Sequence, residues 1–555
     1  MRLAMQRTWW QGSKQLFSWL LLLLLTSHRA IAYEPNQIYR YSVVHFGDIH
    51  GHFMPDQFGQ GGYAAIKTVI DNIRKQQKSP VILLNSGDYN LGTLASEILQ
   101  GRADIFAMNM MDIDAIVAGN HEFDIPLESL VSQKEDLNAP LISANVKYKN
   151  EDGTLSEFFR PYVIIQRGGL TFLVVGLTPQ STIYQSNPNT TKHFAFLDPF
   201  KSLEKAIADA KQITPIDVVI VLDHLGFNPL GDIAKGKNYG SFNLAQMINT
   251  GEVSLIVTAN SRNFGCVNGY GQAIDYRPGM TCTVPYANKI PIVSANINGL
   301  YVGKADFEFK NGVSKLVKYQ LYPVNVKNVG QDGKITDAAP PVTPDPALDK
   351  VLKNYYNHAL SGLNKPVGTI DRTLMVSRFK ESIFGTIVAK ALALETNADF
   401  AIVNSGSVDN NIPRGTVTTL MIREAIRYNN YLVTVKLTGA QVASYLQKIY
   451  AMVDGGKPNY YGITFKVNRS QKRIWDIRIK SKPIDDEKVY TLTINKFLAL
   501  GGDSYPVVLN SAKYNAQVLD LRDSQAFENY LRKQKHLVID NIPLEGPEWI
   551  VDKKK

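Results

Sequence analysis

Short apolar runs, each stopping at a small or polar cluster, recur through the first half of the chain. Val43-Val44-His45-Phe46 runs into Gly47-Asp48-Ile49-His50-Gly51-His52, and Val81-Ile82-Leu83-Leu84 into Asn85-Ser86-Gly87-Asp88. Asp114-Ala115-Ile116-Val117 leads to Gly119-Asn120-His121-Glu122-Phe123-Asp124, and Asp217 to Leu222 runs into Asp223-His224-Leu225-Gly226. Residues 253–257 lead to Thr258-Ala259-Asn260-Ser261-Arg262-Asn263. Continuous β-branched runs of this length predict buried strands. Segments 140–145, 162–165 and 171–177 add more, and alternating strands continue to about Val326. Between the strands, Ile66, Val69, Ile70 and Ile73 recur near a 3.6 period and predict a helix over 64–77, ended by Ser79-Pro80. A second helix is predicted over 94–111. Strands separated by helices predict an α/β first domain.

The pattern breaks at 329–347, which is rich in Gly, Asp and Pro and includes Pro340-Pro341 and Pro344-Asp345-Pro346. That is linker composition. A helix over 347–360 follows, and a second domain begins near residue 365. At the other end Arg2, Arg7 and Lys14 precede an almost wholly apolar stretch from Leu16 to Leu25, and Ala30-Ile31-Ala32 is a small-x-small cleavage site. Residues 1–32 therefore read as a signal peptide, its apolar run too short to span a bilayer. The organisation expected is signal peptide 1–32, first domain 33–328, linker and connecting helix 329–364, and second domain 365–555. The protein is expected to be periplasmic or secreted, with no membrane attachment after cleavage.

The 1–32 segment carries four bases and no acid, so the mature chain has a net charge of +6 against +10 for the whole. Apart from Lys553-Lys554-Lys555 the bases are scattered, which argues against a nucleic-acid surface and supports a modest attraction for anionic substrates. Cys266 and Cys282 are the only cysteines. In an oxidising compartment they are expected to pair, closing a loop of about 15 residues worth roughly 3 kcal/mol. The alternative is two buried free thiols. The sequence sets no oligomeric state.

The strand ends carry the candidate chemistry. Asp48 and His50, then Asp88, then Asn120 and His121, then His224 supply carboxylate, imidazole and amide oxygen, a donor set suited to Zn²⁺, Mn²⁺ or Co²⁺. Asp88 is placed to bridge two ions; two ions about 3.5–4 Å apart hold a phosphoryl group and ionise a water at neutral pH. Asp124, three residues after His121, is placed to orient its ring, leaving the other nitrogen to stabilise charge or protonate a leaving oxygen. Taken singly, each of these residues has a structural explanation, as a turn, a cap or a hydrogen-bonded histidine. The ordered set does not. His45 reads as a core residue, and His52 has no assigned role.

These motifs resemble those of the calcineurin-like metallophosphatases. More closely, nearly everything from Tyr39 to Pro506 resembles the bacterial periplasmic 5′-nucleotidase/UDP-sugar hydrolase family, including the cysteine pair, Tyr301 to Phe309, and Gly501-Gly502-Asp503-Ser504-Tyr505. The resemblance implies a metallophosphatase β-sandwich with flanking helices, followed by an α/β nucleotide-binding domain. It implies one metal site of Asp48, His50 and Asp88, a second of Asp88, Asn120 and His224, and a catalytic His121–Asp124 dyad. In the second domain it implies Tyr428 and Phe497 as the aromatic pair that sandwiches the base, with Arg378, Asn404, Asn430 and Asp503 around nucleoside and phosphate.

Two departures bear on the activity. The family's fifth strand ends Gly-Gly-His-Ser/Thr-His or Gly-Gly-His-Ser-Gln, where this chain has Thr258-Ala259-Asn260-Ser261-Arg262, and no histidine lies between His224 and His358. Asn260 can serve as a weak fourth ligand. Arg262 cannot bind a metal, but its guanidinium can stand in for part of an ion's charge beside phosphate. The other possibility is that Arg262 turns to solvent and both ions bind with lower affinity. Asp409 stands where the family usually has arginine. The expected function is metal-dependent hydrolysis of nucleoside 5′-monophosphates, extending to UDP-sugars or dinucleotides, with one or two ions per chain. The alternative is a nucleotide- or nucleoside-binding protein with a degenerate metal site.

Overall fold

The computed structural model describes residues 33–550 except 57, 228–239, 262–265, 269–271, 275, 330–334, 378–379, 453–457, 469–472, 510, 512 and 540–541. The signal segment 1–32, Arg262 and Arg378 lie outside the described residues. Among those described, no helix is long and apolar enough to cross a membrane.

The predicted strands build two six-stranded sheets. In the first, Tyr39–Phe46, Val81–Asn85, Ala115–Val117 and Leu141–Ile142 run parallel in that order, with Tyr301–Lys310 and Val313–Pro323 added antiparallel on the outer side of Tyr39–Phe46. In the second, Leu170–Leu177, Val218–Asp223, Leu255–Val257 and Ile290–Val293 run parallel between the antiparallel edge strands Tyr162–Arg167 and Tyr286–Ala287. One side-chain phase of each sheet faces the other sheet. Val43, Leu84 and Val117 pack there against Val174, Ile220, Leu222 and Val257. The opposite phase of the first sheet (Val44, Phe46, Leu83, Ile116) lies under the helix Tyr63–Gln76 through Ile66 and Ile70. That of the second sheet (Val175, Val221, Ile256) lies under Pro199–Ile213 through Leu203, Ile207 and Ala210. Both faces of every central strand are thus buried, which is why the runs are continuously apolar rather than alternating. Each fully buried large aliphatic contributes roughly 1.5–3 kcal/mol. The result is a β-sandwich with flanking helices, the fold class expected.

Several boundaries differ from the sequence reading. The segment 140–145 contributes only the two-residue strand Leu141–Ile142. The helix expected over 94–111 is two helices, Leu94–Ile98 and Arg102–Asn109. Gly101 separates them with φ +73°, its N–H bonded to Ser96 O at 2.9 Å. Gln100 is left-handed too, with φ 51°, so two successive left-handed residues close the first helix and Gly101 caps the start of the second; a Cβ at Gly101 would stand 2.8 Å from Gln133 Nε2. Cys266 and Cys282 form a disulfide beside Tyr301 and Leu321.

The helix Pro346–Ala359 starts on an Asp345 cap, whose side chain accepts from Leu348 N at 2.9 Å, and packs Leu348 and Leu352 into the helix-covered core of the first sheet. Beyond it, a five-stranded sheet runs in the order Asn459–Tyr461, Phe400–Val403, Val489–Asn495, Tyr431–Thr438, Asn515–Arg522. The helix Ile383–Glu395 is buried over most of its circumference against that sheet and the helix Asp523–Gln534.

Candidate active site

The turns that follow the parallel strands interlock through their backbones. Asp48 N donates to Gly87 O, and His50 N to Asp88 O, each at 2.9 Å. Asp48, His50 and Asp88 all hold left-handed backbones, with φ of 49°, 50° and 48°. Such conformations cost of order 1–3 kcal/mol each and persist where the surroundings fix them. Glu122 is a large part of what fixes them. It is fully buried, with Oε2 accepting from Asp88 N at 3.0 Å and Gly119 N at 2.7 Å, and Oε1 accepting from Tyr89 N at 3.0 Å. Gly119 permits the approach: a Cβ there would stand 2.2 Å from Asp88 Oδ1.

Asp88 is common to two clusters whose ligand atoms all lie within 4.8 Å of one another: Asp48, Asp88 and His224, and His50, Asp88 and His121. His224 Nε2 stands 2.8 Å from Asp88 Oδ2 and 3.6 Å from Asp48 Oδ1; His50 Nε2 is 3.8 Å from Asp48 Oδ1. Asp88 therefore has the central position expected of a bridging carboxylate. Asp48 lies near both imidazoles, and His121 stands with His50 and Asp88.

The donor set fits divalent cations. His224 Nδ1 donates to Ser86 O at 2.6 Å, which turns Nε2 toward Asp88 and Asp48, where a proton or a cation can sit between them. Asp48 Oδ1 and Asn120 Oδ1 are buried with no hydrogen-bond partner among the described residues, and buried polar atoms without partners are costly unless a ligand completes them. Burial holds His50 well below its ordinary value even though Asp88 pulls it up, so its ring is neutral and available as a donor. Burial pushes Asp88 up, but His224 and His121 outweigh it and hold the carboxyl below its usual range. Burial carries Asp48 up to about 6 against the pull of His224, and the Asp88 charge adds to the rise.

Asn260 also has a left-handed backbone, with φ 64°. Its N–H donates to Asp48 Oδ2 at 2.8 Å, and its side-chain nitrogen donates to His224 O at 3.2 Å. It thus orients two candidate ligands. His121 is anchored by its own N–H to Asp88 Oδ1 at 2.8 Å, and its Nδ1 lies 2.6 Å from Asp124 Oδ2. Burial lowers the ring's pKa, but Asp88 and Asp124 overcome it and raise it to about 9. A protonated ring with Nδ1–H committed to Asp124 leaves Nε2–H for a phosphoryl or leaving oxygen. His45 is a core residue, its Nε2 on Tyr319 Oη at 3.1 Å. His52 donates Nδ1–H to Ile49 O at 2.9 Å.

The candidate groups of the second domain face the same space. A cavity of about 630 Å³ is lined by Asn120, His121, Asp124 and Asn260 from the first domain and by Asn404, Tyr428, Asn430, Phe497 and Asp503 from the second. Asn404 Nδ2 donates to Asp503 Oδ2 at 2.7 Å. The Phe497 ring lies against Gly502, where a Cβ would stand 2.4 Å from its ring atoms. Two residues not singled out from the sequence matter here. Glu122 appears in the Gly-Asn-His-Glu run, and a carboxylate in a buried turn between glycines signals backbone N–H groups to satisfy. Arg427, next to Tyr428, lies 2.9 Å from Asp409 Oδ2, so the acid at 409 has a cationic partner.

The chain matches known proteins over most of its length. A family model described as calcineurin-like phosphoesterase matches residues 41–259, and one described as the 5′-nucleotidase C-terminal domain matches residues 366–510. The chain is 31% identical to protein UshA of Escherichia coli K12 over 94% of its own length and 96% of that protein. It is 31% identical to a 5′-nucleotidase of Vibrio cholerae over 93% of its own length and 94% of that protein. The crystal structure of a 5′-nucleotidase precursor from Thermus thermophilus shares the fold, with a TM-score of 0.72 and 23% identity over 93% of this chain and all of that one.

Proposed function

The chain belongs to the 5′-nucleotidase family and is a metal-dependent phosphoric ester hydrolase; from that premise we propose that it is an exported enzyme that hydrolyses nucleoside 5′-monophosphates, with UDP-sugars or dinucleotides as further substrates. The observation that carries this reading is one cavity that has the His121–Asp124 pair on one wall and Tyr428 and Phe497 on the other. Asp48, His50, Asp88, Asn120 and His224 are the residues that would hold one or two divalent ions, zinc, manganese or cobalt. When bound, such ions supply Lewis-acid charge and an ionised water. The chain's own part is to hold the scissile phosphoryl group beside Asp88, to offer the His121 Nε2–H to its oxygens or to the leaving oxygen, and to fix the base between the aromatics. Asp124 keeps the His121 ring in place through Nδ1. Export rests on the 1–32 signal pattern, and a periplasmic or secreted location follows from it. The working division is 33–328 for the catalytic domain, 329–364 for the linker and connecting helix, and 365–555 for nucleotide binding.

A second reading is a nucleotide-binding protein with little turnover. Asn260 favours it, because a neutral amide oxygen, a weaker ligand than imidazole, stands where the resembled family has a histidine. Phosphate release from AMP with added Mn²⁺, Co²⁺ or Zn²⁺, set beside calorimetric binding of adenosine, separates the two. Turnover supports the hydrolase, and binding without turnover supports the second reading.

A further inference from the structure

Arg427 has no part in the chemistry described so far, yet it lines the same cavity. It follows the helix Thr419–Ala425, and its side chain is only 11% exposed. Nη1 donates to Gly92 O at 2.9 Å and lies 2.9 Å from Asp409 Oδ2; Nη2 donates to Tyr428 Oη at 2.8 Å. The guanidinium carbon sits 4.7 Å from the centre of the Tyr428 ring. Gly92 in turn is pressed on the metal side of the cleft, where a Cβ would stand 1.9 Å from His50 O. One guanidinium therefore spans the interval between the loop behind His50 and the aromatic assigned to the base. Its Nε–H is buried and has no partner among the described residues. The charge of this guanidinium, which lines the cavity, is suited to phosphate oxygens once a ligand displaces one of these contacts.

Position and charge narrow the ligand. A nucleoside monophosphate has its phosphoryl group at the carboxylate cluster and only ribose between there and the base. A nucleotide with two linked phosphoryl groups has one of them in that interval, at the level of Arg427. Asp409 offsets part of the guanidinium's charge, so a bridging phosphoryl group with one negative charge is repelled less there than a terminal dianion. We infer that Arg427 binds the phosphoryl group nearest the nucleoside in pyrophosphate-linked nucleotides and sets the chain's preference for them over monophosphates.

The inference rests on the nucleotide reading above, and calorimetry on the full mature protein tests the two apart. The probes are adenosine and α,β-methylene-ADP, which keeps both phosphoryl groups and resists cleavage between them. Arg427→Gln should weaken binding of the methylene analogue about 10- to 100-fold and adenosine by less than about threefold. Arg427→Lys should recover part of the loss. Asp409→Asn should tighten the analogue and leave adenosine as it was, and this arm decides the matter if Arg427→Gln does not fold. In turnover, Arg427→Gln should raise KM for UDP-glucose far more than for AMP. Equal losses for both probes, or equal KM changes for both substrates, overturn the inference and leave the nucleotide reading standing. Wild-type protein that binds neither probe overturns both.

Discussion

Glu122 Oε2 accepts the backbone N–H of Asp88 at 3.0 Å, and the same carboxylate also takes the N–H groups of Tyr89 and Gly119. The turn that carries the central carboxylate and the turn that carries Asn120 and His121 are thereby one rigid unit. Glu122→Ala would strand three buried donors. Each unsatisfied group costs about 1–3 kcal/mol, so the loss of stability to urea should be about 3 kcal/mol or more. Glu122→Gln, which keeps the shape, should cost less. Equal stability of Glu122→Ala and wild type would show that these bonds do not hold the site.

Asp88 is common to both clusters, so Asp88→Asn should remove metal binding and hydrolysis together. A neutral amide cannot bridge two cations. Metal content by elemental analysis and phosphate release from AMP check it, and near-normal values for both would reassign the site.

The aromatic pair is expected to act on the base alone. Tyr428→Ala and Phe497→Ala should each weaken nucleotide binding by roughly 1–3 kcal/mol, with a much smaller loss on a small aryl phosphate, which has no base to hold. Parallel losses on the two substrates would make these rings structural.

The number of ions is expected to depend on Asn260 and Arg262. The Asn260 amide oxygen is a weaker ligand than an imidazole, and an arginine cannot ligate. Wild type is therefore expected to hold about one ion tightly and the double variant Asn260→His with Arg262→Gln about two, with faster AMP turnover. Two tightly held ions in the wild type, together with full activity of Arg262→Ala, would count against Arg262 as a stand-in for metal charge.

A pH dependence is built into the contact between the domains. Burial raises Glu97 from an ordinary 4.5 to about 7, against the pull of Arg423, Arg427 and Arg522. Burial raises Asp523 from 3.8 to about 7, and the Glu97 charge adds to it. Both carboxyls hold their protons more tightly folded than unfolded. Their contribution to stability is therefore fully present below about pH 4 and is lost as pH rises through about 7. Lowering the pH from about 7.5 to about 5.5 should raise the wild-type Tm more than that of Asp523→Asn, measured by thermal melts at both values.

The two sheets were legible because strands buried on both faces have no polar phase to confuse the pattern, and glycine followed by Asp or Asn marks where each stops. Gly101 was visible as a residue but not as a break, since the left-handed cap depends on the chain reversing toward Gln133. The ligand grouping depended on how one sheet lies on the other, which strand order along the chain does not encode: Asp48 meets His224 only because the two sheets meet at one edge. Arg427 was harder still, since its partner Gly92 is 335 residues distant, and a basic residue beside a tyrosine has no periodic signature.

The connecting helix has a mechanical consequence. Pro346–Ala359 is fastened to the first core through Leu348 and Leu352. On the far side, Leu363 O and Lys365 O already accept from Leu420 N at 2.8 Å and Thr419 N at 3.0 Å in the second domain. Leu360 still packs on the first core, so the interval between the two attachments is short, and it includes Gly362, which has φ +81° and open space around it. Any swivel of one half on the other must be taken up in that interval. Gly362→Ala, which disfavours a φ of +81°, would strain this connection and leave the Arg427–Gly92 contact to hold the cleft at its present width.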